Sequence, residues 1–149
     1  MEVKIKRLHP DAVIPAKAHA SDAAYDLTAV SRSFDDDGNV VYGFGLALEI
    51  PEGYAGFIYP RSSICKYDLA LTNSVAVIDA NFRGEITAKF KSVPRIDQYT
   101  GIAFGSRYYK KGDRIAQLII RRVEPIEFVE TDTLSETDRG TGGYGSTGT

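Results

Sequence analysis

The chain reads as an all-β domain of sandwich, jelly-roll or barrel type. Short β-branched or aromatic runs recur along it, Gly, Pro, Asn and Asp turns punctuate them, and no segment sustains a 3.6-residue apolar period. Its 149 residues, 43% of them hydrophobic, suit one globular unit that buries roughly 70% of its unfolded surface. We divide it into a β domain over 1–138 and a mobile arm over 139–149, whose composition offers little apolar surface to bury.

Val3-Lys4-Ile5-Lys6 alternates with period two, as a half-buried strand does. Ser21 to Leu27 sets the carboxylate of Asp26 between apolar neighbours at the head of a strand. Asp35-Asp36-Asp37-Gly38 lacks the alternate-residue spacing of a calcium loop and reads as a charged hairpin tip. Val40 to Ile50 reads as one strand, and Pro51-Glu52-Gly53 turns it into Tyr54 to Tyr59. A short turn of helix is allowed after Ser62. Ala76 to Glu85 reads as strand, tight turn, strand, with Asp79 at the bend, and Glu85 to Phe90 continues it. Ser92 to Lys110 is a long, aromatic-rich surface excursion, partly strand or part of a subunit contact. Lys111-Gly112-Asp113 then turns the chain into Ile115 to Ile120, and Ile126 to Val129 is the last β-prone run.

Several function classes are excluded. A net charge of −2 gives no chain-wide footprint for nucleic acid. No apolar run approaches the ~20 residues that cross a bilayer, and the N-terminus lacks a signal-peptide pattern, so no membrane partner is expected. The single cysteine, Cys65, cannot form an internal disulfide and is expected as a small packed core residue. A cytoplasmic protein (nuclear if eukaryotic) is the expectation. One cysteine with His9 and His19 is too few for a familiar zinc site.

Chemistry concentrates in five segments. Besides those around Asp26 and Asp79, Pro60-Arg61-Ser62-Ser63 joins a guanidinium to hydroxyls after a strand, and Gly112 to Gln117 leads a turn into one. The fifth runs from Arg139 to Thr149 and packs five glycines with hydroxyls, one arginine and one tyrosine. Glycines let backbone N–H groups close on an anion, and the spacing from Gly140 to Thr147 imitates the phosphate loop G-x-x-x-x-G-K-S/T. Ser146 stands in place of its lysine, and no helix follows to lend a dipole. Such a tail closes over a site built elsewhere. Arginine with hydroxyls, isolated carboxylates and this tail are the parts of phosphate-ester chemistry.

In this order the segments resemble the five motifs of the homotrimeric dUTP pyrophosphatase (dUTPase) family, from Asp22 to Gly148. The resemblance implies a β-clip, distorted jelly-roll barrel, a homotrimer whose subunits share each active site, and Mg²⁺-dependent hydrolysis of dUTP to dUMP and pyrophosphate. It implies Asp79 as the base that activates water and Asp26 as the metal-holding acid. Arg61, Ser62, Ser63 and Gln117 would be phosphate ligands. Asn73 and the backbone at Val77 and Ile78 would read uracil, and Phe82 would lie against the deoxyribose. In the arm, Arg139 would meet the γ-phosphate, Tyr144 would stack on the base, and Gly145, Ser146 and Thr147 would wrap the phosphates. The chain departs from the family at Ala24 and Ala76 (usually Gly), Val75 (commonly Pro) and Phe82 (usually Tyr). An alanine needing φ > 0 at either position would be strained. Two other readings remain: a dCTP deaminase or bifunctional enzyme of the same fold, and a nucleotide-dependent regulatory binding protein.

Overall fold

The computed structural model describes residues 1–101, 103 and 105–143. The described residues form strands β1 (Lys4–Arg7), β2 (Tyr25–Thr28), β3 (Ser31–Phe34), β4 (Val40–Gly43), β5 (Leu46–Glu49), β6 (Tyr54–Pro60), β7 (Leu69–Leu71), β8 (Ala76–Ile78), β9 (Thr87–Ser92) and β10 (Arg114–Arg122). One 3-10 turn, Ser62–Lys66, follows β6. All named strand pairs are antiparallel, in sheets ordered β1-β5, β2-β10-β6-β8 and β3-β4-β9-β7. This is the antiparallel all-β, jelly-roll-type architecture that the sequence predicts.

The two four-stranded sheets share one core. Tyr42 of β4, Phe90 of β9, Ile58 of β6, Leu27 of β2 and Leu118 of β10 meet there, and Tyr42 packs edge-on against Phe90 at 5.7 Å. Strand β9 alternates as half-buried strands must, with Ala88 and Phe90 inward and Lys89 and Lys91 outward.

The run from Val40 to Ile50, read as one strand, is two strands in different sheets. Gly45 breaks it with φ of +64°, and a Cβ there would meet the His9 Cβ at 2.6 Å. Only glycine takes that close left-handed bend without strain. The Gly45 N–H donates to Glu85 Oε1 at 2.8 Å, and its carbonyl accepts from the Leu8 N–H at 2.7 Å, so the break seats β1.

Other expectations are corrected. Ile126 to Val129 forms no strand: Ile126, Phe128 and Val129 are 73%, 90% and 78% exposed. The run has β propensity but pairs with no strand among the described residues, and propensity alone does not hold a strand. Cys65 is exposed rather than packed, because the 3-10 turn that carries it lies on the surface and buries none of its residues. Asp35 does organise a hairpin tip between β3 and β4. The Asn39 side chain and backbone N–H donate to it, and its pKa is held down to about 2.

The excursion between β9 and β10 is anchored by one buried charge. Asp68, 4% exposed, accepts the Arg107 N–H at 2.7 Å and pairs with Arg95 Nε at 2.9 Å. The Val93 N–H donates to its carbonyl, so both ends of the excursion meet at this residue. The Arg107 amide holds the Asp68 carboxyl below the usual aspartate range against the opposing effect of burial, aided by Arg95 and Arg107. A carboxyl with a depressed folded pKa contributes stability that is fully present above its unfolded pKa of ~3.9 and lost as pH falls through the folded value. Asp68→Asn should therefore lower the urea midpoint at pH 7, and the gap to the unmodified protein should close below about pH 4. Equal midpoints at pH 7 would remove the anchor.

Candidate active site

Three adjacent strands build one cleft. The order β2-β10-β6 sets Asp26 opposite Gln117 and Gln117 opposite Tyr59, and β6 ends at Pro60 so that Arg61 and Ser62 emerge beside them. The open cleft, about 750 Å³, is lined by Asp22, Ala24, Asp26, Arg61, Ser62 and Gln117 among others. Gln117 Nε2 donates to the Pro60 carbonyl at 3.0 Å, which ties the strand end to β10.

Asp26 is the electrostatic hub of the cleft. Its Oδ1 pairs with Arg61 Nε at 2.7 Å and its Oδ2 with Arg114 Nη1 at 2.9 Å. Arg61 Nη1 also donates to the Arg114 carbonyl at 3.3 Å. Two cations on one carboxylate leave a net positive charge beside a hydroxyl and an amide, which suits polyanionic phosphates. Among the described residues no group of three His, Cys, Asp or Glu side chains is placed to cage a metal. Mg²⁺ needs no such cage, since it takes one or two carboxylates and completes its shell with water and phosphate oxygens. Both Asp26 oxygens are engaged by guanidiniums, so Asp26, with Asp22 on the same cleft wall, would hold such an ion through coordinated water rather than by direct ligation.

Arg114 had not been singled out as a site residue. A bulge between Arg114 and Ala116 shifts the register, so Ile115 and Ala116 are both buried in succession. The usual alternation would set Arg114 and Gln117 on opposite faces; the bulge re-aims Arg114 toward Asp26. Ser63 turns away from Ser62. It lines a neighbouring cleft and hydrogen-bonds the Tyr109 hydroxyl at 3.0 Å.

The second constellation sits on the β8 side. Asn73 lies in the turn before β8, where Ser74 takes φ of 57° and its N–H donates to the Leu71 carbonyl. Strand β8 is the edge of its sheet, so alternate backbone groups of its outer side, at Ala76 to Ile78, have no partner strand among the described residues. Asp79 begins the following turn and accepts the Phe82 N–H at its carbonyl, 3.1 Å; its side chain is exposed. The tip of the Phe82 ring reaches Gly84, where an added Cβ would meet Cζ at 2.6 Å. Glycine at 84 is what lets the ring fold back.

The two constellations are far apart in one chain. Ile78 is level with Gly56, whereas Arg61 lies five residues further along β6. At ~3.3 Å per residue, Asp79 and Arg61 are separated by on the order of 20 Å. Arg139 bonds locally: its Nε donates to the Gly142 carbonyl at 2.9 Å, within its own turn. Tyr144, Gly145, Ser146 and Thr147 lie outside the described residues.

The fold and cleft define an antiparallel jelly-roll protein with a guanidinium, a hydroxyl and an amide grouped in one cleft. The chain belongs to the dUTPase family, whose profile matches residues 11–148. It is 40% identical to the deoxyuridine 5'-triphosphate nucleotidohydrolase of Corynebacterium diphtheriae over 98% of this chain and 92% of that one. It is 39% identical to the Rhodococcus erythropolis protein of the same name over 99% and 87%. Among solved structures it resembles the Staphylococcus bacteriophage 80alpha dUTPase with dUpNHpp: TM-score 0.80, 26% identity, 99% of each chain covered.

The alanines that depart from the family pattern carry no backbone strain. Ser74 is the only non-glycine with positive φ among the described residues, so neither Ala24 nor Ala76 needs glycine. Ala76→Gly should therefore cost about 0.5–1 kcal/mol through strand entropy, read as a lower melting temperature. A more stable glycine variant would reveal strain at that position.

Proposed function

We propose that this protein hydrolyses dUTP to dUMP and pyrophosphate at sites assembled between subunits of a homotrimer. The carrying observation is the separation of Asp79 from Arg61, on the order of 20 Å along β6. A base must come within ~3–3.5 Å of the reacting atoms, so a triphosphate held at Arg61 is out of reach of the same chain's Asp79. Two chains meeting head to tail bring the β8 turn of one to the Asp26 cleft of the next. Such heterologous contacts close into a ring, and a three-membered ring is the family's form. The exposed apolar run Ile126 to Val129 supports assembly, since a surface of that kind is ordinarily covered.

In this reading the Asp26 cleft receives the phosphates. Arg61 and Ser62 with Gln117 supply donors, Ser63 anchors the turn, and Arg139 adds a further cation when the arm closes. Tyr144 and the Gly145-Ser146-Thr147 run then complete the enclosure. The free backbone edge at Val77 and Ile78, with Asn73, matches the donors and acceptors of uracil, and each unpaired group would cost ~1–3 kcal/mol. Phe82 covers the sugar and leaves a ribose hydroxyl neither room nor partner. Asp79 accepts a proton from water as the water oxygen bonds to the α-phosphorus. The bond from that phosphorus to the α–β bridging oxygen breaks, and pyrophosphate departs with the electron pair. Mg²⁺, held through Asp26, would neutralise charge on the phosphate oxygens. A deaminase of this fold would use a glutamate after the β8 turn; Glu85 instead accepts the Gly45 N–H at 2.8 Å, which disfavours that reading.

Asp79→Asn tests this reading. The variant should fold and bind dUTP as well or better, since an anion facing phosphates is lost, while kcat falls ~10²–10⁴-fold. Pyrophosphate release measured across the deoxynucleoside triphosphates, with and without Mg²⁺, provides the readout. Near-normal kcat in the variant would exclude Asp79 as the base, and absence of dUTP turnover in the unmodified protein would exclude the function.

A further inference from the structure

The turn Arg61 to Lys66 has little of its own to hold it. It is one turn of 3-10 helix with no side-chain cap at its N-terminus and no buried residue. Backbone bonds close its two ends, Ile64 N–H to the Arg61 carbonyl and Tyr67 N–H to the Ile64 carbonyl, each 2.9 Å. A single turn of this kind does not persist on backbone bonds alone. Yet it must hold Arg61 and Ser62 toward the cleft.

Tyr109 meets both ends of the turn. The ring is buried, at 1% exposure. Its hydroxyl lies 3.0 Å from Ser63 Oγ at the start, and its ring stacks on Tyr67 just past the end, with centroids 3.7 Å apart and planes 28° from parallel. The Tyr109 backbone is fixed in turn: its carbonyl accepts from the Tyr42 hydroxyl at 3.1 Å and from Arg32 Nη1 at 3.4 Å. The next residue is tied to the β10 turn, where the Lys110 N–H donates to Asp113 Oδ2 at 2.7 Å.

We propose that Tyr109 is a positioning residue for substrate phosphates, a buried clamp that acts through Ser63 and Tyr67 to hold the Arg61–Ser62 donors in their phosphate-receiving shape. The proposal rests on the reading of that turn as a phosphate site. The clamp is stiff because one rigid ring touches both ends, and it is anchored in the core through Tyr42 rather than at the surface. Burial raises the phenol's pKa, so the hydroxyl stays protonated and able to donate throughout the neutral range.

Tyr109→Phe keeps the ring and its stacking and removes only the hydroxyl. It should leave the melting temperature nearly unchanged while lowering kcat/KM for dUTP about ten-fold, mostly through KM, the factor that one buried hydrogen bond is worth. Ser63→Ala should cause a similar loss, and the double variant no more than either alone. Independent effects would instead multiply to about a hundred-fold. Hydrogen exchange of the Ser62 to Lys66 amides in the free protein gives a second readout, expected to quicken in both single variants. Full kcat/KM in Tyr109→Phe, multiplicative losses in the double variant, or unchanged exchange would each overturn the clamp. If the unmodified protein fails to turn over dUTP, the functional reading falls, and the exchange rates still decide the clamp.

Discussion

Strand β6 is the constraint on which the rest depends. It pairs along its length with β10 and at its first half with β8, so the Asp79 turn lies near one end and Arg61 and Ser62 are released at the other. The strand is stiff, hydrogen-bonded on both sides and built around Ile58, which is fully buried. No side-chain motion shortens a separation on the order of 20 Å set by backbone register. In the proposed reading, the chain's two chemical halves therefore serve other copies rather than each other.

Within the phosphate half, the order is electrostatic. Asp26 gathers Arg61 and Arg114, one from the strand end and one from a bulge, and holds both at hydrogen-bonding distance. Without that carboxylate the two guanidiniums would repel, and the mouth of the cleft would open. With it, the cations are preorganised while one positive charge remains unbalanced. Preorganised donors of this kind favour a polyanion without reorganisation when it arrives.

Much of this was legible in the sequence, and the parts that were not share a cause. Asp79 at a bend and Arg61 after a strand could be read because Arg83-Gly84 and Pro60 mark those turns locally. The half-buried strands β1, β6 and β10 announced themselves through alternation or β-branched runs. Strand β3 did not, because Ser31 to Phe34 is exposed throughout and has no buried face to pattern. Gly45 looked like any strand glycine until its positive φ and the nearness of His9 were seen. The role of Arg114 depends on a bulge that reverses side-chain parity, and the exposure of Ile126 to Val129 goes with the absence of a pairing strand among the described residues. Each is a tertiary fact that no local propensity encodes.

The central claim is that Asp79 of one subunit serves the Arg61 cleft of another, and subunit mixing tests it most directly. Asp79→Asn and Arg61→Ala chains, each inactive alone, are unfolded together in equal amounts, refolded, and assayed for dUTP turnover, with mixed assembly verified by native mass spectrometry. In a head-to-tail ring every mixed trimer regains one complete site, so about a quarter of normal activity should return. Mixed trimers that form and remain inactive would contradict a site shared between subunits.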